Sequence, residues 1–311
     1  MENFPIVMSE SYHIAVLLDE SVEGLNIQNG GTYVDVTFGG GGHSAKILEE
    51  LEGGRLIAFD QDQDAHDACK INDSRLSLLK QNFRFLKNNL RAEKALPVDG
   101  ILADLGVSSH QFDEGPRGFS FRSTAELDMR MNQLQDKSAE TVINDYSEEE
   151  LLRVFKSYGE IPGARRLVRF VIEKRNKGRI STTFELSEIV ERAFGKHKAN
   201  QKLLAQVFQA IRIEVNDEMK ALEEFLGQAI EVLKEGGRLS VISYHSLEDR
   251  LVKNFIRAGR PDGQLEKDAF GRGQSPMKAI NKKVIVPGEN EIKANSRARS
   301  AKLRIAEKVA A

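Results

Sequence analysis

Residues 32–44 of this chain, TYVDVTFGGGGHS, constrain its fold more than any other stretch. The first seven are rich in β-branched and aromatic side chains and read as a buried strand. Four consecutive glycines follow, Gly39 to Gly42, and then Ile47, Leu48 and Leu51 fall at helical spacing. A turn built of residues without a Cβ lets the backbone approach a ligand closely, beside a helix N-terminus whose first N–H groups have no partner in the helix. Residues 55–59 (RLIAF) make a second strand, a helix is expected over about 62–70, and residues 76–79 and 98–105 read as the third and fourth strands. Parallel strands need crossover connections, so this alternation predicts a doubly wound parallel sheet.

The pattern changes after the fourth strand. Between residues 108 and 211 the chain shows helices with start signals and no strand. Ser147 with Glu150 and Thr182 with Glu185 have capping-box spacing, and Leu204, Val207, Phe208, Ile211 and Val215 form one apolar stripe. A helix is expected over about 217–234, stopped by Gly236 and Gly237, then a fifth strand at 238–244 and a helix at 247–258. Residues 284–286 and 301–306 are candidate final strands. The simplest organisation is a discontinuous sheet domain, residues 1–107 and 212–311, interrupted by an all-helical domain of residues 108–211. Open α/β sheets bind ligands at the C-terminal edge of their strands, so an insertion there is placed to hold a substrate over a cofactor.

Asp60 ends the second strand, 21 positions after Gly39, where an acid accepts hydrogen bonds from ribose hydroxyls. With the glycine loop it points to a nucleoside-containing cofactor. The run is not G-x-G-x-x-G, because position 44 is Ser44. Asp35 lies just before the loop, where a carboxylate repels a pyrophosphate and suits a sulfonium or an ammonium. S-adenosylmethionine is therefore expected rather than NAD. Asp104 ends the fourth strand and is a candidate for the adenine amino group, the methionine ammonium or a substrate amine, with a helix N-cap or loop stabiliser as the lesser alternative. His245, at the end of the fifth strand, is a candidate to orient a substrate or receive its proton, and equally a structural histidine.

Several classes fall away. The single cysteine, Cys69, allows no internal disulfide, fits a reducing cytoplasm, and reads as packing in the helix after the second strand. The six histidines show no paired ligand spacing, so no metal is expected. No run approaches the roughly 18 apolar residues of a membrane span, and residues 1–19 lack the pattern of a secretory leader. A cytoplasmic protein without membrane contact is expected. Net charge is −2 but uneven: residues 1–150 carry 13 Lys and Arg against 27 Asp and Glu, whereas residues 250–311 carry 15 against 6. Two basic stretches are candidate phosphate-contacting surfaces: Arg165, Arg166, Arg169, Lys174, Arg175, Lys177 and Arg179, and Arg297, Arg299, Lys302 and Arg304. Phe112, Phe119 and Phe121 are candidates for stacking on a base.

In order along the chain stand HIAVLLDE (13–20), DVTFGGGGHS (35–44), DLGVSSHQ (104–111), GFSFR (118–122), LDMRM (127–131), FQAIRIEVN (208–216), SYHSLEDR (243–250) and NSRARSAKLR (295–304). This series resembles the bacterial 16S ribosomal RNA cytosine-N4 methyltransferases, the MraW or RsmH family. The resemblance implies a class I, Rossmann-like methyltransferase fold with a helical insert, S-adenosylmethionine as methyl donor, and a cytosine in the decoding centre of the small ribosomal subunit as acceptor. It implies cofactor contacts at Gly41, Gly42, His43, Asp60, Phe83, Asp104 and Gln111, and no protein partner. The sequence departs from the family pattern at Tyr244, where phenylalanine is usual, at Ser296 and Gln63, where proline is common, and at residues 202–206 (KLLAQ). Three other readings stay open: an NAD-dependent oxidoreductase, an RNA-binding protein with a degenerate pocket, and a methyltransferase of proteins or small molecules.

Overall fold

A computed structural model of the chain describes residues 15–108, 111–112, 115–266 and 273–310. His13, Ser109 and His110 of the motifs above lie outside the described residues. Two compact units emerge: Met1–Gly106 with Glu223–Ala311, and Val107–Leu222.

The first unit holds a seven-stranded sheet of β1 (Thr32–Asp35), β2 (Arg55–Phe59), β3 (Leu76–Leu79), β4 (Val98–Asp104), β5 (Leu233–Ser243), β6 (Met277–Ala279) and β7 (Lys302–Lys308). Their order is β3-β2-β1-β4-β5-β7-β6. Strands β1 to β5 pair in parallel, β7 runs antiparallel to β5, and β6 antiparallel to β7. This is the doubly wound sheet that the strand–helix alternation predicts, closed by an antiparallel edge. Its centre reads as continuous apolar runs because parallel strands are covered on both faces: Val34, Ile57, Phe59, Ile101 and Leu102 are fully buried.

The helices in chain order are α1 (Leu18–Glu23), α2 (Gly42–Glu50), α3 (Gln63–Asp67), α4 (Leu86–Ala92), α5 (Ala139–Asp145), α6 (Glu148–Ser157), α7 (Ala164–Arg175), α8 (Thr183–Phe194), α9 (Gln201–Asn216), α10 (Glu218–Val232), α11 (Ser246–Ala258) and α12 (Glu289–Ala294). Helix α2 buries Ile47 and Leu48 against Val22, Leu25, Tyr33 and Leu102. The expected helix over 62–70 is only α3, which Asp62 caps by accepting the Asp64 N–H. Its sequence, QDAHD, has no apolar stripe to bury, so it stops early. Cys69 thus lies beyond the helix and is only half-buried, which corrects its reading as helix packing.

Two strand expectations also change. Residues 284–286 form no strand; Ile285 makes a single antiparallel bridge to Leu303. The last edge strand is β6, whose Met-Lys-Ala carries no β-branched residue and takes its conformation from pairing with β7.

In the second unit, capping boxes start α5 (Ser138 with Thr141), α6 (Ser147 with Glu150) and α8 (Thr182 with Glu185). Each contributes about 1 kcal/mol to its helix. Leu151, Val154, Phe155, Leu167, Val190 and Ile211 are fully buried in its core, each worth about 2 kcal/mol on burial. Helix α9 runs unbroken past residue 211 to Asn216, whose side chain accepts from Met131 N–H (2.8 Å) and donates to Met129 O (2.8 Å). A domain boundary at 211 would cut that helix; the compact unit extends to Leu222, inside α10. Among the described residues, no helix is long and apolar enough to cross a membrane.

Candidate functional site

Strand β1 lies between β2 and β4, so the winding direction reverses at the β1/β4 pair. That reversal opens a crevice at the C-terminal edge. The glycine loop leaves β1 here, and four bonds stitch it to its neighbours. Val36 N–H donates to Leu102 O (3.0 Å) and Phe38 N–H to Phe59 O (2.9 Å). Gly39 N–H donates to Asp60 Oδ2 (2.8 Å), and Asp104 N–H to Thr37 Oγ1 (2.6 Å). Gly41 caps α2 at φ 78°, where a Cβ would meet the Phe38 ring at 2.8 Å. Any other residue there meets both a left-handed backbone and a clash.

Asp60 sits at the end of β2. Its Oδ1 accepts from Asp62 N–H (2.9 Å) while Oδ2 takes the Gly39 amide. Burial pushes its carboxyl up to about 6, although the Asp62 and Gly39 amides pull it down. The residue keeps partial exposure. A carboxylate offers about four lone-pair sites, so those not used by the two amides remain for hydroxyls.

Asp104, at the end of β4, is also pushed up to about 6 by burial, against the pull of His43 and of a hydrogen bond from Tyr244. That bond runs from the Tyr244 hydroxyl to Asp104 Oδ1 (2.8 Å). The other oxygen, Oδ2, lies 3.9 Å from His43 Nδ1, and the side chain is 23% exposed. The His43 ring is buried, with Nε2 3.2 Å from the Val16 carbonyl, which accepts a hydrogen bond from the Nε2–H.

Two expectations need correction here. Asp35 is fully buried, and its carboxylate accepts from Thr37 N–H (3.1 Å) and the Ser44 hydroxyl (2.6 Å). It braces both ends of the loop from below instead of facing a bound molecule. Burial pushes its carboxyl up, opposed by His43, the Ser44 hydroxyl and Thr37. His245 caps α11: its Nδ1 accepts the Glu248 N–H at 3.4 Å, and Nε2 lies 3.1 Å from Glu248 Oε1. The cap and an exposure of only 9% correct its placement as an open group at the strand edge, although its buried Nε2 has no hydrogen-bond partner among the described residues.

The sequence pattern of the MraW methylase family matches residues 10–309. The chain belongs to that family. Its relatives include "Ribosomal RNA small subunit methyltransferase H" of Flavobacterium johnsoniae, 56% identical over 299 residues, which span 96% of this chain and 98% of the relative. The protein of the same name in Bacteroides thetaiotaomicron is 54% identical over the same shares. A solved rRNA methylase from Streptococcus thermophilus shares 12% identity at a TM-score of 0.44, over 96% of this chain and all of the other.

Within this methylase, one edge of the sheet unit brings together Gly39, Gly41, Gly42, His43, Asp60 and Asp104. Phe83 follows β3 in the same unit, half-buried, with its ring edge-on to Phe225 of α10 (5.4 Å between centroids). Gln111 belongs to the helical unit, where its side-chain oxygen accepts from Ser108 N–H (3.1 Å). Arg165, Arg166 and Arg169 are exposed on α7, and Arg299 is exposed in the sheet unit, with Arg297 half-buried. Of the remaining basic candidates, Lys177 is exposed, and the others have partners within their own unit. Arg175 donates to the carbonyls of Ile143 (3.0 Å) and Tyr146 (2.7 Å), and Lys174 pairs with Glu185 (3.4 Å). Arg179 pairs with Glu140 and Asp145, while Lys302 and Arg304 pair with Asp249. These cations already have acceptors within their own unit, which corrects their reading as open phosphate contacts. Phe119 is buried under the Arg117 guanidinium and is core. Sequence reasoning missed Thr37, Ser44 and the hydroxyl of Tyr244, although the polar residues flanking the glycine run hinted at the first two.

Proposed function

We propose that this chain transfers a methyl group from S-adenosylmethionine to the exocyclic N4 of a cytosine in the decoding centre of 16S ribosomal RNA. Family membership and the name carried by relatives above 50% identity support the RNA substrate. The observation that carries the chemistry is Asp104: one carboxylate oxygen is held by Tyr244, while the side chain keeps partial exposure at the crevice.

The residues fit the cofactor. Partly exposed Asp60 suits the ribose hydroxyls, and the first turn of α2 suits a carboxylate, since helix N–H groups there lack internal acceptors. Phe83 suits the face of the adenine. When bound, S-adenosylmethionine supplies an electrophilic methyl on a sulfonium whose sulfur keeps the bonding pair. The chain's part concerns the amine. The N4 lone pair is delocalised into the cytosine ring; an acceptor on the N4–H localises it and takes up the positive charge that develops there. Asp104 Oδ2 is that acceptor, and the proton leaves N4 toward it as the N–C bond forms.

Analysis of nucleosides after incubating labelled donor with small subunits from cells lacking the enzyme tests this reading. Label in N4-methylcytidine is expected, and label in any other nucleoside contradicts it. Arg165 and Arg166 are the RNA contacts of the insert. Reversing both charges (Arg165→Glu with Arg166→Glu) weakens RNA binding roughly tenfold and lowers the salt slope by about 2, as loss of two phosphate contacts requires. Cofactor affinity stays as it was. Filter binding across a salt series reads both, and an unchanged slope removes these arginines from the interface.

A further inference from the structure

We infer that Tyr244 is a positioning residue for Asp104: its hydroxyl engages Oδ1 and so presents Oδ2 to the amine that is methylated. This rests on the reading of Asp104 given above. The bond is 2.8 Å long and joins residues from the ends of two neighbouring strands, β4 and β5. Both partners are held independently of it. Asp104 is fixed through its backbone N–H on Thr37 Oγ1, and Tyr244 through its own N–H on Glu248 Oε2 (2.8 Å). The Tyr244 ring packs against the cluster of Val16, Leu17, Leu303 and Ile305. Gly106 lies beside that ring, where a Cβ would make ordinary contact at 3.6 Å from Tyr244 Cδ2. Packing accounts for the ring and not for the hydroxyl, whose recorded partner is the carboxylate.

The groups that act on Asp104 are His43 from α2, Tyr244 after β5, Asp35 from β1 and Glu248 from α11. Of these, His43 and the Tyr244 hydroxyl favour the ionised carboxylate, while Asp35 and Glu248 oppose it. Removing the hydroxyl takes away a donor that stabilises the charged form, so protonation occurs at higher pH.

The test is Tyr244→Phe in the full chain, which keeps the ring. One readout is the pH profile of kcat/KM for RNA; the other is the titration of Asp104 by carbon-13 NMR of aspartate-labelled protein, its resonance identified with Asp104→Asn. The expected result is that Asp104 titrates about one unit higher, and that the deficit relative to wild type grows about fivefold between about pH 8.5 and about pH 6. Fluorinated tyrosine, a stronger donor, moves both in the opposite direction. An identical Asp104 titration in the two proteins overturns the inference. A shifted titration with an unmoved pH profile leaves the hydrogen bond standing and overturns the role of Asp104 in the reaction.

Discussion

Replacing Asp104 with asparagine lowers kcat about 10³-fold, within the range by which positioned acid–base groups accelerate proton transfer. The substitution is nearly isosteric. Asparagine Oδ1 still accepts from the Tyr244 hydroxyl, so the local hydrogen bond survives. What is lost is Oδ2, replaced by an amide nitrogen that donates and cannot take a proton from the proposed acceptor amine. Single-turnover transfer at saturating donor and RNA isolates that loss from binding. A reduction of less than about tenfold would return Asp104 to a purely structural role. The pH dependence follows from the same carboxyl. Its value, about 6, lies above that of an ordinary aspartate, so the group is ionised only above that pH. Activity therefore falls as pH drops through about 6, and the fall comes from protonation of a group the reaction needs charged.

Asp60→Ala raises the dissociation constant for S-adenosylmethionine roughly 10²-fold. Hydrogen bonds to a charged partner are worth about 1.5–3 kcal/mol each, and the alanine removes those to the ribose as well as the bond that holds Gly39 N–H. Asp60→Asn is milder, because one amide oxygen still accepts from the Gly39 amide. Calorimetric titration with the donor or its demethylated product reads the effect. A change within about threefold would place the ribose elsewhere. The Asp60 carboxyl also lies at about 6, so cofactor affinity weakens over the same acidic range in which turnover falls.

The frame of this site is legible in the sequence because local chemistry dictates it. Four glycines between a β-branched strand and an apolar helix mark a turn that needs backbone conformations other residues resist, and the acids that end β2 and β4 reach the same edge by the geometry of parallel strands. What was hidden depends on contacts between distant positions. Tyr244 meets Asp104 across 140 residues, and nothing near position 244 announces a carboxylate partner. Asp35 read as a charge facing the cofactor; its burial shows only when Thr37 and Ser44 close over it. Lys174, Arg175 and Arg179 look like an open basic run until Glu185, Glu140, Asp145 and two backbone carbonyls take up their charges. His245 read equally as catalytic or structural, and the capping box with Glu248, three residues on, was the local signal for its structural part. Strand β6 follows from pairing alone, since its three residues carry no strand signature.

The methyl donor is predicted to bind at the C-terminal edge of β1, β2 and β4. A crystal structure of the chain with S-adenosylhomocysteine tests it most directly. The predicted result places the ribose hydroxyls within hydrogen-bond distance of Asp60, the adenine beside Phe83 and the sulfur facing Asp104. A ligand bound elsewhere, or one at this edge with its ribose turned away from Asp60, would contradict it.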